Sequence, residues 1–446
     1  MNFIRYKLFQ KNYNLNSQGG AITPHNHCIV ENCRFINNTA TKFYGGAIST
    51  EDEIDRSNAN ITIRNCYFEG NGAPIGGAIQ AKGDLVEILN CTFKDNRAVQ
   101  GGAVFLEGQN LTIINCSFTD NNATDNLDSR IMTGQTYLPQ AGEWNTYGGA
   151  VYIHGFNSYL ENNKFLYNSA IRPLNQALED KGGAVYILGD NATLIKCYFD
   201  DNFAHSGNGS AIYIMGVNAT VDDSEFYNHD SGRGTVFIRG SHASILNSIF
   251  KNNTASLGGA GIYSIGNNSL VDDCTFENNN ATVHGGAIHS YGNYIRVLNS
   301  RFISNNTHPS DEEMDNGLGG AIYTKGDFND IAYCVFSFNT ACNGSAIYNR
   351  GANLTIEDCN FHYNQAYSYR LNIQVEPEIS NYTPNNKIQI NITHIGGDNI
   401  INAIYNDGSY KNIFFYNVKY EHSSTSGGKR NSGLKKVNPV ESAEKK

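Results

Sequence analysis

Charge is scarce in this chain: 17% of its 446 residues are Asp, Glu, Lys or Arg, against about 25% in an ordinary globular domain. Proline (8), Met (4) and Trp (1) are scarce as well. Their place is taken by 45 Gly and many Asn, Ser and Thr, which favour turns and extended backbone over helix. A mostly helical protein is thereby excluded. No apolar run reaches the roughly 18 residues of a membrane-spanning helix. The 42 acidic and 32 basic residues leave a formal charge of -10, so the broad positive field of a nucleic-acid binder is missing and no such partner is expected. Residues 1–18 (MNFIRYKLFQKNYNLNSQ) have no apolar core and no small-residue cleavage site, so they do not read as a signal peptide. They are taken as a lead-in, and the expectation is a fragment of a longer exported chain.

A repeat fills most of the remaining chain. The stretch GGAVFLEGQNLTIINCSFTDNNA at 101–123 recurs with variation from Gly19 to Ala366. Each copy ends in a Phe: Phe35, Phe68, Phe93, Phe118, Phe165, Phe199, Phe226, Phe250, Phe276, Phe302, Phe336 and Phe361. The intervals are 33, 25, 25, 47, 34, 27, 24, 26, 26, 34 and 25 residues. GGA occurs nine times between copies, with GSA at Gly209 and Gly344 and GTV at Gly234. A period near 25 with three short apolar stretches per copy fits stacked coils, not the longer blades of a propeller. Each stretch suits a strand of three or four residues and is too short for a helix. The expected fold is all-β: a right-handed, single-stranded parallel β-helix of about thirteen coils, three short strands to the coil, stacked at about 4.8 Å.

Such stacking brings like residues together in columns. Ile or Val follows the Ala of GGA in most coils and reads as one interior column; Phe is a second. Cys stands two residues before Phe at Cys33, Cys66, Cys91, Cys116, Cys197, Cys274, Cys334 and Cys359, with Asn163, Ser224, Ser248 and Ser300 elsewhere. Asn stands three residues after Phe at Asn38, Asn71, Asn96, Asn121, Asn168, Asn202, Asn253, Asn279, Asn305, Asn339 and Asn364, with His229 the exception. This Asn is expected in a bend, bonded to neighbouring coils. The paired glycines suit a corner that needs positive φ or close backbone approach.

The alternation of GGA(I/V) with FxxN resembles the repeat of the chlamydial polymorphic outer-membrane proteins. The fuller pattern, as in NLTIINCSFTDNNA (110–123) and NLTIEDCNFHYNQA (353–366), is more similar to adhesin-like surface proteins of methanogenic archaea. The resemblance covers roughly residues 19–420. It implies a β-helix displayed outside the cell, at the cell surface or secreted, and names no ligand. The chain departs from that pattern twice, with no export signal in its first residues and no membrane-inserting barrel in its last, and the expectation is that both ends are truncated. By period, residues 19–366 hold the repeats. Residues 367–420 are an irregular stretch plus a last degenerate coil, in which NAIYNDGSYKNIFFYNVKY (402–420) aligns with SAIYNRGANLTIEDCNF (345–361). Residues 421–446 lack apolar periodicity and are expected as a disordered linker.

The candidate chemistry falls into four groups. Eight Cys in one column would have Cβ atoms about 4.8 Å apart, where a disulfide needs roughly 3.8 Å, so a reduced ladder is the preferred reading over disulfides or a metal. Cys28 and Cys342 stand outside the column and are the expected reactive thiols. Two acidic pairs, Asp222–Asp223 and Asp272–Asp273, could supply the two carboxyls of a glycosidase. They occupy repeat positions held elsewhere by Asn115, Asn247 and Asn299, however, and scaffold use is the simpler account. His154-Gly155 and His284-Gly285 are isolated fragments of a polygalacturonase-like Gly-His-Gly. Calcium at Asp311, Glu312, Glu313 and Asp315 is a lesser alternative, and no cofactor or metal is expected.

The fourth group is aromatic. Two residues after the Ala of GGA stand Phe105, Tyr152, Tyr186, Tyr213, Tyr323 and Tyr348, with His289 among them and Tyr405 in the last coil. If Ile/Val points inward, alternation turns this column outward, where it could stack on sugars or enter a partner's groove; the simpler reading is that it stiffens the sheet through neighbour stacking or is covered by the insertions. Trp144, the only Trp, lies in the insertion 124–147; others are 171–181, 308–318 and 51–60. Sequons such as Asn60, Asn110, Asn191, Asn218 and Asn353 allow glycosylation. The expectation is a non-enzymatic adhesin that binds cell-surface or host glycans or proteins. The alternatives are a polysaccharide-degrading enzyme, lyase or glycoside hydrolase, and a passive spacer.

Overall fold

The computed structural model describes residues 2–14, 19–41, 44–50, 60–127, 145–171, 180–204, 207–308 and 317–366, together with the backbone of Ile404–Asn406, Ile413–Tyr416 and Lys419–Glu421. Two compact units divide the chain, Met1–Ser244 and Ile245–Lys446. Within each, every regular element of the described residues is a strand, and each strand pairs in parallel with its counterpart one repeat away. The chain therefore coils as a parallel β-helix.

A coil of the first unit shows how the sequence produces this path. Val104–Gln109 lies in the GGA sheet, Thr112–Ile114 in a second sheet and Ser117–Thr119 in a third. Asn122–Thr124 adds a fourth short strand, where three to the coil were expected. The segment assigned to a bend is itself bridged to its neighbours, Asn122 to Arg97 and to Ser169. Between strands the backbone turns through single residues with positive φ, such as Asn110 (55°), Asn115 (56°) and Asp120 (56°). Asn and Asp tolerate this left-handed region better than other side chains, which accounts for their abundance. At the glycine corner Gly101 has φ +61°, and a Cβ on Gly102 would sit 2.0 Å from the carbonyl oxygen of Gly149.

The interior is a set of columns. Phe rings stack from Phe9 through Phe226 in the first unit, centroids 4.7–4.9 Å apart. In the second unit they stack from Phe250 through Phe361 at 4.8–4.9 Å. The Asn column is a hydrogen-bonded ladder: Asn96 Nδ2 donates to Asn121 Oδ1 (2.9 Å) and to the Phe68 carbonyl (3.1 Å), while its Oδ1 accepts from Asn71 N and Nδ2. In the Cys column each thiol donates to the carbonyl two residues back, as Cys66 to Arg64 (3.2 Å) and Cys91 to Leu89 (3.3 Å). Ser224 and Ser248 donate the same bond. The column thus calls for a small side chain able to bond that carbonyl, and disulfide chemistry is not its purpose.

The strands begin before the repeat is visible in the sequence, for Asn2–Arg5 pairs with Cys28–Glu31 and Leu8–Gln10 with Arg34–Ile36. There the buried Glu31 receives both Arg5 and Arg64. At the other end, backbone strands pair Ile347 with Ile404 and Phe361 with Tyr420. The expected linker, Trp144, most of the insertions and the acidic stretch 311–315 lie outside the described residues.

Candidate functional site on the outer face of the GGA sheet

Each strand of the GGA sheet alternates as predicted, with Val151 and Ile153 inward and Tyr152 between them, and the register keeps each position in one column. The aromatic column is nevertheless not exposed. Phe105, Tyr152, Tyr186, Tyr213, Tyr323 and Tyr348 are all buried, none above 8%. The column is therefore no open stripe, and the reading of neighbour stacking under cover is the one the rings follow. The cover is a column the repeat hides, the residue just before the paired glycines. These residues bridge coil to coil, Tyr147 to Lys181, Asn208 and Arg233 in the first unit and Gly258 to His284, Leu318 and Asn343 in the second. Tyr147, Lys181, His284 and Leu318 each lie against the aromatic of the next coil. Tyr147 stacks on Tyr186 at 4.5 Å, and the Lys181 ammonium lies 5.5 Å from the Tyr213 ring. Leu318 packs against Tyr323 and Tyr348. Burial pushes Tyr152 up to about 12, and Tyr186 is raised further, so these phenols stay neutral.

In the second unit this covered face becomes polar and cationic. His284 sits in the pre-glycine column and meets Tyr323 edge-on at 4.4 Å and His289 at 5.3 Å. His289 replaces the Tyr of the aromatic column and stacks on the half-exposed Tyr291 at 4.8 Å. The Lys325 ammonium is 5.1 Å from the Tyr291 ring. Burial, reinforced by the positive charges of Arg350 and Lys325, lowers His284 from 6.5 to about 4. Around neutral pH this half-buried imidazole is therefore uncharged, with two exposed cations beside it. That is the arrangement of a proton acceptor next to an anion-binding pair.

Gly258 makes room for the cluster. The GGA match at 258–260 is out of register by one, since Gly258 aligns with His284 and Gly261 with Ala287. A Cβ at Gly258 would come within 2.4 Å of His289 Nδ1, so His289 leans into the space that a side chain fills on other coils.

The other sequence candidates stand elsewhere. Asp223 and Asp273 have φ 47° and 50°, matching Asn247 and Asn299 in the same corner column. Leu246, Asn247, Asp272, Asp273 and Asn299 line a shallow open depression, and Asp272 accepts from Asn299 Nδ2 at 2.8 Å. These carboxylates serve turns. Cys28 and Cys342 are buried, and burial raises both thiols, which corrects the expectation that they are reactive. Among the described residues no three His, Cys, Asp or Glu are grouped to hold a metal, and no helix is long and apolar enough to cross a membrane. His154 belongs to the first unit and is solvent-exposed. Sequence reasoning touched His284 as a motif fragment and His289 as an irregular column member. It missed Tyr291, Lys325 and Arg350, which comparing the residues that flank GGA(I/V)Y across coils would have exposed.

No curated protein sequence matches the chain. Among solved structures it is similar to a mannuronic acid-specific family 6 polysaccharide lyase from human gut microbiota, with 13% identity, 80% of each chain covered and a TM-score of 0.42. It is also similar to a PL6 alginate lyase in complex with a trisaccharide, with 12% identity, 93% of this chain and 85% of that one covered, and a TM-score of 0.43. A PL6 lyase from Pseudopedobacter saltans has 11% identity, coverage of 98% and 97%, and a TM-score of 0.37. The likeness is one of architecture. Those matched chains are enzymes, which stands against the expectation of a non-enzyme, while at 11–13% identity the likeness to them extends to the fold alone. The model of the right-handed beta helix region matches residues 9–209 and 210–388, and the chain belongs to that family.

Proposed function

We propose that this chain binds an anionic polysaccharide on the outer face of the GGA sheet in its second unit and cleaves it by β-elimination. The observation that carries the reading is the neutral His284 held against Tyr323 and His289 beside Lys325 and Arg350. A uronate carboxylate placed between the two cations has its charge offset, which makes the neighbouring carbon-bound proton more acidic. His284 takes that proton, the electron pair forms a carbon–carbon double bond, and the glycosidic carbon–oxygen bond breaks. Tyr291 gives the leaving oxygen a proton, so the products are an alcohol end and an unsaturated uronate. The proton on His284 returns to Tyr291 through solvent. No water molecule is added across the bond, unlike the two-carboxylate hydrolysis that the acidic pairs suggested. Acidic polymers outside the cell are the fitting substrates, in keeping with the surface location expected from the repeat.

The test is incubation of the full chain with polymannuronate, polyguluronate and polygalacturonate while following ultraviolet absorbance of the unsaturated product. Absorbance that rises with the parent chain and is lost with His284→Gln supports cleavage. Binding to all three polymers with no product would replace it with the adhesin reading.

A further inference from the structure

The corners of the coil are Asn in most copies, yet in the second unit bulky rings occupy several of them. Tyr294 and Phe328 have φ 57° and 58°, a conformation that costs an aromatic residue more than Asn. Each is also about half exposed, at 51% and 49%. Their rings lie parallel, 5.1 Å apart and 7° from coplanar. A solvent-facing corner thus carries both strain and open apolar surface, although Asn268 and Asn353 on the adjoining coils fill the same column at less cost and without a ring. The same conformation and exposure recur at Phe338 and Tyr363, φ 58° and 53°, so strain alone does not single out the pair and its place on the coil does.

The position says what the use is. Tyr294 lies three residues beyond Tyr291 and Phe328 three beyond Lys325, on the same two coils, so the rings form the rim of the proposed cleavage face. Around them are polar groups: Asn293 and Asp327 immediately before the rings, and Arg296 with Asp330, 3.9 Å apart, two residues after each. The Oδ1 atoms of Asn293 and Asp327 accept from the backbone N–H of Asp327 and Ala352, so the Asn293 NH2 and the second Asp327 oxygen are the atoms to offer hydroxyls. Flat rings bordered by amide, carboxylate and guanidinium groups recognise the apolar face and hydroxyl edge of a sugar. We infer that Tyr294 and Phe328 form a saccharide-stacking subsite that holds the polysaccharide beside His284. This rests on the reading of that face as a polysaccharide site, without requiring that cleavage occur there.

The test uses calorimetric titration of the full chain with hexamannuronate, hexaguluronate and hexagalacturonate. Tyr294→Asn with Phe328→Asn installs the usual corner residue, so the variant should fold with a Tm at or above that of the parent. Its affinity for the hexamer that binds should fall about tenfold, while Phe328→Tyr keeps the ring and the affinity. Phe338 and Tyr363 form a similar exposed pair, 5.3 Å apart, beyond the third sheet. Replacing both with Asn should leave binding unchanged. Loss of affinity in the first double variant alone supports the subsite, even if no polymer is cleaved. Unchanged affinity there, with cleavage intact, overturns the subsite and spares the cleavage reading. A parent chain that binds none of the hexamers overturns both.

Discussion

At the residue scale, the site depends on one imidazole kept uncharged. His284 is lowered from 6.5 to about 4 by burial and by Arg350 and Lys325. The unfolded chain, with the ordinary value, binds a proton more readily than the folded one below about 6.5. Folded stability therefore drops as pH falls from there toward 4, and above 6.5 this residue adds no pH dependence. The expected outcome is a larger loss of Tm between neutral pH and pH 4 in the parent than in His284→Gln, measured by thermal melts across that range. At subsaturating polymer, where kcat/KM reports the free chain, cleavage should persist into mild acid and fail near pH 4, where His284 takes up a proton. The Asn ladder makes a separate prediction. Asn96 gives and takes bonds on both neighbouring coils in full burial. Asn96→Ala strands those partners and should cost about 2–3 kcal/mol in a denaturant melt.

At the scale of the strand and its corner, the GGA unit decides what can be built on its outer face. The paired glycines bring backbones so close that Gly102→Ala would drive a Cβ into the Gly149 carbonyl. That variant should fold poorly, seen as a broadened melt at lower temperature. Gly258 has a different task. Its Cβ would meet the His289 ring at 2.4 Å and the His284 carbonyl oxygen at 2.6 Å, so Gly258→Ala should displace both histidines. Cleavage should then fall further than the accompanying drop in Tm accounts for, read as initial rate against Tm. The contrast explains what the sequence makes legible. Columns of Phe, Asn and Cys can be read directly because identical residues recur at one spacing. The fourth strand escapes notice because its two or three residues alternate too briefly to show a pattern. Inward and outward positions of GGAVYI can be read from alternation, but exposure cannot. It depends on Tyr147, Lys181, His284 and Leu318, which share a column and no chemistry.

At the scale of the whole molecule, each unit holds together by contacts between successive coils. Stability in such an architecture is close to a sum over neighbours. Phe118 lies between Phe93 at 4.7 Å and Phe165 at 4.9 Å, so Phe118→Ala should cost about 3–5 kcal/mol. Hydrogen exchange should quicken first in those adjoining coils. The formal charge of -10 gives no hint of an anion site, because Lys325 and Arg350 act locally, within a screening length of about 10 Å at 0.1 M salt. Net charge argues against nucleic acid as a partner, yet it conceals a basic patch two side chains wide. The repeat conveys the scaffold, and departures from it mark the candidate site: His for Tyr at 289, Gly at 258, aromatic for Asn at 294 and 328.

The central claim is that His284 is a neutral base facing an anion-binding pair, and imidazole titration by NMR tests it most directly. In the free chain the His284 resonance should titrate near 4. It should move upward when a saturating hexauronate sets its carboxylate between Lys325 and Arg350, because the added negative charge favours the protonated ring. A resonance that titrates near the ordinary histidine value of about 6.5 and does not respond to any of the three hexauronates would contradict the account.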